Sequence, residues 1–312
     1  MELQRASDFE RQLRDRLTYP AWGQRLTPEQ YLERERRLRA QAWAATAMRT
    51  WLLVEEREVL ASCETFAMGA RFRGEKRVVE GVASVFVEER LRGKRYASAI
   101  FEKLLPRLRD EGALASILFS DVGESIYARV GYAARPALER LFSPEAGAPA
   151  NVCDAVFSES MDDLRAALAD APEPDDALLL YPSAVQLDWH IERERIYAQL
   201  VDEPRPPWHG ARAGRGRAVW AGDLKNDQLV ILWLAATRSD EALALIQAAR
   251  RAAHGAGLSK VVLWECAWPF ELAESAGGGR RVRRADSIPM IAPLVSGLDA
   301  RDWGQTSRGV WI

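Results

Sequence analysis

Four cations crowd one glycine in VASVFVEERLRGKRYASAIFEKLL (82–105), where Arg90, Arg92, Lys94 and Arg95 surround Gly93. Phosphate recognition is the chemistry such a cluster could do. The first turn of a helix has backbone N–H groups without internal partners and the positive end of the helix dipole. A glycine lets the backbone approach an oxyanion closely, and neighbouring Arg and Lys add charge. The competing reading is a solvated face beside Glu88 and Glu89, and the spacing leaves both open.

The flanking elements fix where the cluster sits. Alternation puts Val82, Ser84 and Phe86 on one face of a strand and Ala83, Val85 and Val87 on the other, a pattern for a central strand covered on both sides. From Tyr96 the period changes: Tyr96, Ile100, Phe101, Leu104, Leu105 and Leu108 recur at three and four, which predicts a helix with one buried stripe. The cations therefore occupy a strand-to-helix turn. Beyond the helix, ALASILF (113–119) reads as a short buried strand and SIYARVGY (125–132) as a short helix closed by glycine. Upstream, Thr27, Pro28 and Gln30 supply a capping box for one long helix or a helix pair, and TWLLVEE and REVLASCETFAM read as a hairpin.

These residues resemble the GNAT superfamily of acetyl-CoA-dependent N-acetyltransferases. Val85-Phe86-Val87 followed by Arg92-Gly93-Lys94-Arg95-Tyr96-Ala97 stands where that family has an apolar strand and then Arg/Gln-x-x-Gly-x-Gly/Ala. Tyr127-Ala128-Arg129-Val130-Gly131-Tyr132 matches its Tyr-x-x-x-Gly-Phe/Tyr. One departure is Arg95 in place of the motif's central glycine, which a positive φ would penalise. With ASCETF (61–66), QLDWHIERERIYA (186–198) and SIPMIAPL (287–294), the chain is similar to the fungal lysine N-acetyltransferase family over most of its length. That family joins an acetyltransferase domain to a C-terminal extension.

The resemblance implies an α+β GNAT fold, a mixed and splayed sheet flanked by helices. It also implies that the amides from Arg92 to Ala97 hold the CoA pyrophosphate, and that the main chain of Val85 and Val87 pairs with the pantetheine arm and polarises the thioester. Phe86 and Ser120 join the cofactor site on the same ground, and Tyr127 becomes the general acid that meets the leaving thiolate. The spacing alone permits a plain core tyrosine at 127. A primary amine must be neutral to attack the thioester, so a carboxylate or ordered water must take its proton. Glu64 and Glu80 are the acids that the sequence best aims into a cleft. Asp121, after the fifth strand, joins Glu64 as an acceptor-site candidate, and His190 and Glu192 are added because the resemblance passes through them. A solvated face is the bland alternative for the acids, and a satisfied helix histidine for His190.

Domain organisation follows from the remainder. At 312 residues two domains are expected: an acetyltransferase domain over 1–142, a small-residue linker over 143–150, and a second unit over 151–312. In the second unit, short helix, acidic turn APEPDD, strand and helix precede a hairpin around Asn226-Asp227, a helix, a strand, a short helix near PFELAES and a strand. That order repeats the first half, so the expectation is a degenerate GNAT-like domain. It has Thr237-Arg238-Ser239-Asp240 where the phosphate turn would stand, and is not expected to bind CoA.

Composition excludes several classes. With 43 Lys+Arg against 45 Asp+Glu, the formal net charge of −2 carries no signature of nucleic-acid or membrane attraction. ARAGRGR (211–217) and GGGRRVRR (277–284) read as solvated loops. Cys63, Cys153 and Cys266 lie far apart with no metal-ligand spacing, so the expectation is free thiols, no metal and a cytoplasmic location. The readings that stand are an N-acetyltransferase for a small amine such as lysine, a protein-lysine acetyltransferase, and an inactive CoA-binding protein. Oligomeric state is not legible.

Overall fold

The strand that hands over to the cation cluster is the middle of the first of two sheets. The computed structural model describes residues 1–148, 151–157, 160–169, 178–266, 268–304 and 306–312. Strand β1 (Glu2–Arg5) leads to helix α1 (Asp8–Trp22), opened by a Ser7–Glu10 capping box. Helix α2 (Pro28–Arg39) has the expected Thr27–Gln30 box with Pro28 in its first turn, and α3 (Ala42–Ala47) completes a helix pair. The hairpin β2 (Met48–Glu55) and β3 (Glu58–Phe72) turns at Glu56 and Arg57, both at positive φ. Then come β4 (Glu75–Phe86), α4 (Tyr96–Asp110), β5 (Ala115–Ser120), α5 (Ser125–Ala128), β6 (Ala133–Ala134) and β7 (Leu138–Phe142).

The second half supplies β8 (Ala155–Phe157), α6 (Met161–Leu168), β9 (Leu179–Leu180), α7 (Ala184–Val201), β10 (Gly210–Ala213), β11 (Gly216–Asp223) and β12 (Gln228–Ala235). It ends with α8 (Ser239–Gly255), β13 (Lys260–Trp264), β14 (Arg280–Arg283) and β15 (Ile288–Pro293). The acidic turn at 171–176 and linker residues 149 and 150 lie outside the described residues. Near PFELAES the chain makes a single 3-10 turn, Glu274–Ala276, in place of the expected helix. The two basic stretches are also more ordered than expected: 211–217 is the β10–β11 turn and 280–283 is β14.

One sheet runs β1-β2-β3-β4-β5-β15-β6 with β9 on β3, and the other runs β14-β7-β13-β12-β11-β10-β8. The sheets do not divide the chain at the linker. β15, from the far C-terminal part, pairs antiparallel with β5, from Ile288 opposite Ser120 to Pro293 opposite Ala115. In return β7 lies between β13 and β14 in the second sheet. In the second unit the hairpin β11–β12, helix α8 and parallel β13 repeat β3–β4, α4 and parallel β5.

Helix α7 lies between the sheets. Trp189 and Ile196 pack with Phe66, Val79 and Ile291 of the first, whereas Leu187 and Ile191 pack with Val219 and Leu232 of the second. A helix buried on several sides needs apolar residues around its circumference, which this one has. On the other face of the first sheet, Ile100, Phe101, Leu104 and Leu108 of α4 pack on Val82, Leu118 and Met290. Among the described residues, no helix is long and apolar enough to cross a membrane, no His, Cys, Asp and Glu side chains gather into a metal-holding group, and the three cysteines are free.

Candidate active site

Strand β4 bends at Ser84. The register with β3 steps from Glu64 opposite Ala83 to Ser62 opposite Phe86, and Ser84 takes φ +52°, so a bulge interrupts the alternation. Val82, Val85 and Val87 share one core cluster, in place of the expected pairing of Val82 with Ser84 and Phe86. β4 pairs with β5 only from Glu80–Ser116 to Val82–Leu118. Beyond that point the two parallel strands part, and a cleft opens between them.

At the far end of β4 a 3-10 turn, Glu89–Leu91, leads into the cation cluster. Gly93 takes φ +81° and Arg95 φ +64°, so both are left-handed. The two residues turn the chain so that the amides of Gly93, Lys94, Arg95, Tyr96 and Ala97 donate to no acceptor among the described residues. The Arg92 amide does not join them, since it donates to the Glu89 carbonyl at 3.1 Å. Arg92 and Lys94 are exposed, and a Cβ built on Gly93 meets nothing within 4 Å. Five free amides at the start of a helix, open to solvent and flanked by cations, fit a pyrophosphate.

The cleft beyond the bulge has a volume of about 850 Å³ and is lined from both sheets. Val85 and Tyr127 stand on the first-sheet side. Tyr127 packs edge-on to Phe101 at 5.4 Å, and its hydroxyl has no hydrogen-bond partner among the described residues. Burial, with smaller contributions from Asp121 and Cys63, pushes its phenol up to about 12.

The acids predicted from sequence are mostly occupied. Glu64 lines the cleft but accepts from Arg14 at 3.0 Å, with Arg39 at 3.6 Å. Arg14 also donates to Ser62 Oγ at 2.9 Å and to the Ser84 carbonyl at 2.7 Å, so α1 clamps the bulge through a buried network. Asp15 completes it by accepting two bonds from Arg39, at 2.6 and 2.5 Å. Glu80 is buried away from the cleft, on Arg49 at 3.2 Å, where burial raises its carboxyl. Glu192 is ion-paired with Arg195 and does not line the cleft.

Ser120 spends its hydroxyl on its own turn, donating to the Gly123 carbonyl at 2.5 Å. Asp121 does line the cleft, where its Oδ1 accepts the Ser287 amide at 2.9 Å. His190 is sealed in α7 with Nε2 3.1 Å from the Gly309 carbonyl, and burial holds its imidazole down at about 3. Through that contact it anchors the 3-10 turn at Arg308–Val310, and it also lines a small cavity with Arg193, Lys225 and Arg308. That anchoring brings Arg308 and Trp311 to the cleft and sets Ile312 against β4, where a Cβ on Gly81 would lie 2.4 Å from Ile312 Cδ1.

Sequence reasoning missed Arg14, Arg39, Glu139, Arg193, Asp223, Lys225 and Arg308, all of which line the cleft. Each arrives from an element distant in sequence, and no local spacing marks it. The side chain of Glu139, partly buried on β7, has no hydrogen bond or ion pair among the described residues, and burial raises its carboxyl.

Comparison with known proteins agrees with this geometry. Residues 3–135 match the acetyltransferase (GNAT) domain, and residues 150–312 match the LYC1 GNAT-like C-terminal domain. Among solved structures, a GCN5-related N-acetyltransferase from Kribbella flavida superposes with TM-score 0.56 at 18% identity, covering 94% of this chain and 72% of its own. A conserved protein from Enterococcus faecalis V583, a probable N-acyltransferase, gives TM-score 0.61 at 12% identity with coverages of 94% and 72%. A GCN5-related N-acetyltransferase from Anabaena variabilis gives 0.57 at 13%, with 94% and 73%. A search of curated proteins finds no match. Both halves of the chain are thus accounted for by one superfamily, and the protein belongs to the GNAT acetyl-CoA N-acetyltransferases, as a catalytic GNAT domain joined to a LYC1-like GNAT C-terminal domain.

Proposed function

We propose that the acceptor is the primary amine of a small molecule, lysine or a related amino acid, and that the second domain shapes its pocket. The observation that carries this reading is the cleft of about 850 Å³, which Tyr127 and Val85 line on one side and residues of α7, β11 and the C-terminal turn on the other. A pocket walled by two domains suits a free amine better than a protein segment, which needs an open groove to lie in.

Acetyl-CoA supplies the thioester, and the free amides from Gly93 to Ala97 hold its pyrophosphate. The main chain of Val85 and Val87, beyond the point where β4 leaves β5, faces the reacting carbonyl and stabilises charge on its oxygen. Tyr127 offers its hydroxyl proton to the departing sulfur. A phenol pushed up to about 12 remains protonated across the neutral range, as an acid must. The amine reaches the cleft neutral by yielding its proton to water or to Glu139, whose raised carboxyl and lack of an ion pair at contact suit that role better than Glu64 or Glu80, each of which is held by an arginine.

The test is thiol release from acetyl-CoA with a panel of amines led by L-lysine, with Tyr127→Phe in parallel. Turnover on a small amine is expected, and the variant should lose about 10²-fold or more in kcat without a change in melting temperature, since the hydroxyl bonds nothing in the chain. Silence across the panel, with acetyl-CoA still raising the melting temperature, would replace this reading with a CoA-binding protein or another acceptor.

A further inference from the structure

Three cations on the C-terminal wall of the cleft have no counter-charge at contact. Arg193 on α7, Lys225 after β11 and Arg308 in the 3-10 turn Arg308–Val310 line the cleft, and none of the three side chains has a hydrogen bond or ion pair among the described residues. All three are half-buried. The two guanidiniums lie instead over the indole of Trp311, with centroid distances of 4.8 Å for Arg193 and 3.5 Å for Arg308, and Arg308 also faces Trp264 at 4.9 Å. The Nη1 of Arg308 is shut off from solvent with no acceptor.

Asp223 and Asp121 offset part of this charge from a distance, but neither makes contact with the three cations. Asp223 has its Oδ2 taken by the side-chain amides of Asn226 and Gln228, each at 2.8 Å, and Asp121 has its Oδ1 taken by Ser287. Burial lowers all three cations, Arg308 to about 9. The other arginines of the cleft, Arg14, Arg34 and Arg39, are each ion-paired. Holding unpaired cations out of water is costly, and a bound anion removes that cost.

We propose that Arg193, Lys225 and Arg308 bind the carboxylate of the acceptor, so that the enzyme selects amino acids over simple amines. This rests on the reading of the cleft as an acceptor site. Guanidiniums held flat by indoles present their N–H edges in a fixed plane, which matches a planar carboxylate. Lys225 adds a mobile point charge. The same wall disfavours a plain diamine, which would bring more positive charge to an uncompensated cluster.

The experiment compares L-lysine and L-ornithine with cadaverine and putrescine, the same amines without the carboxylate. Wild type, Arg308→Gln and Lys225→Met are assayed for acetyl transfer and, by calorimetry, for direct binding. Wild type should favour each amino acid over its decarboxylated partner in kcat/KM. Both variants should shrink that ratio by at least about tenfold through KM. Their melting temperatures should equal or exceed that of wild type, because an uncompensated charge has gone. A wild type that treats lysine and cadaverine alike, or variants that keep its ratio, would overturn the proposal. If no amine is acetylated, calorimetry decides: binding of the amino acids that needs the carboxylate and weakens in both variants upholds the site while the transfer reading falls. No binding of either amino acid to wild type overturns the site as well.

Discussion

Arg95 occupies a backbone conformation that suits glycine, with φ +64° at the turn into α4. A non-glycine residue there gives up roughly 1–2 kcal/mol, partly offset by the lower entropy of its unfolded chain. Arg95→Gly should therefore raise the unfolding free energy by up to about 1 kcal/mol in urea titrations; a loss of stability would show that the arginine side chain holds the turn. His190 makes a second prediction. Its imidazole is depressed from 6.5 to about 3, so the unfolded chain takes up a proton that the folded one refuses. The stability it contributes is whole above pH 6.5 and is lost as pH falls toward 3, at about 1.4 kcal/mol per pH unit. His190→Gln should flatten that acid limb in denaturant melts recorded against pH. At this scale the turn itself was readable, because glycine, cations and a following helical stripe are local. Glu80 and Glu192 were not, because the face on which an acid emerges depends on packing; after Ser84 even the parity of the strand changes.

Helices were legible from their caps, since a Thr27–Gln30 box or a stripe from Ile100 to Leu108 lies within a few turns of chain. Helix α8 shows the same grammar used against a ligand. At its start Glu241 accepts the amides of Arg215 at 3.0 Å and Thr237 at 3.1 Å, so the chain's own carboxylate sits where an anion would bind. Strand β15 is the opposite case. IPMIAP reads as a strand, but nothing local says that its partner is β5, more than 160 residues earlier by the Asp121–Ser287 contact beside it. Ile291 is fully buried there against Trp303 and Ile117. Ile291→Ala should cost about 2–5 kcal/mol in chemical denaturation. A cost within a few tenths would mean that the strand is only loosely docked.

Two sheets that exchange strands and share one buried helix have no plane along which to separate. Calorimetry should accordingly record one unfolding transition for the chain, with the calorimetric and van't Hoff enthalpies in agreement. Two resolved transitions would show that each half keeps its own core despite β7 and β15. The exchange also bears on how the protein is made. A nascent chain emerges from its N-terminus, yet the β5 edge of the catalytic sheet stays open until residues 288–293 have left the ribosome. Stalled chains ending before Ile288 should remain open to protease around β5. Until that strand arrives, the nascent first half travels with an unsealed strand edge and its apolar neighbours in view, which makes it a natural client for chaperones and ties its maturation to a segment made more than 160 residues later.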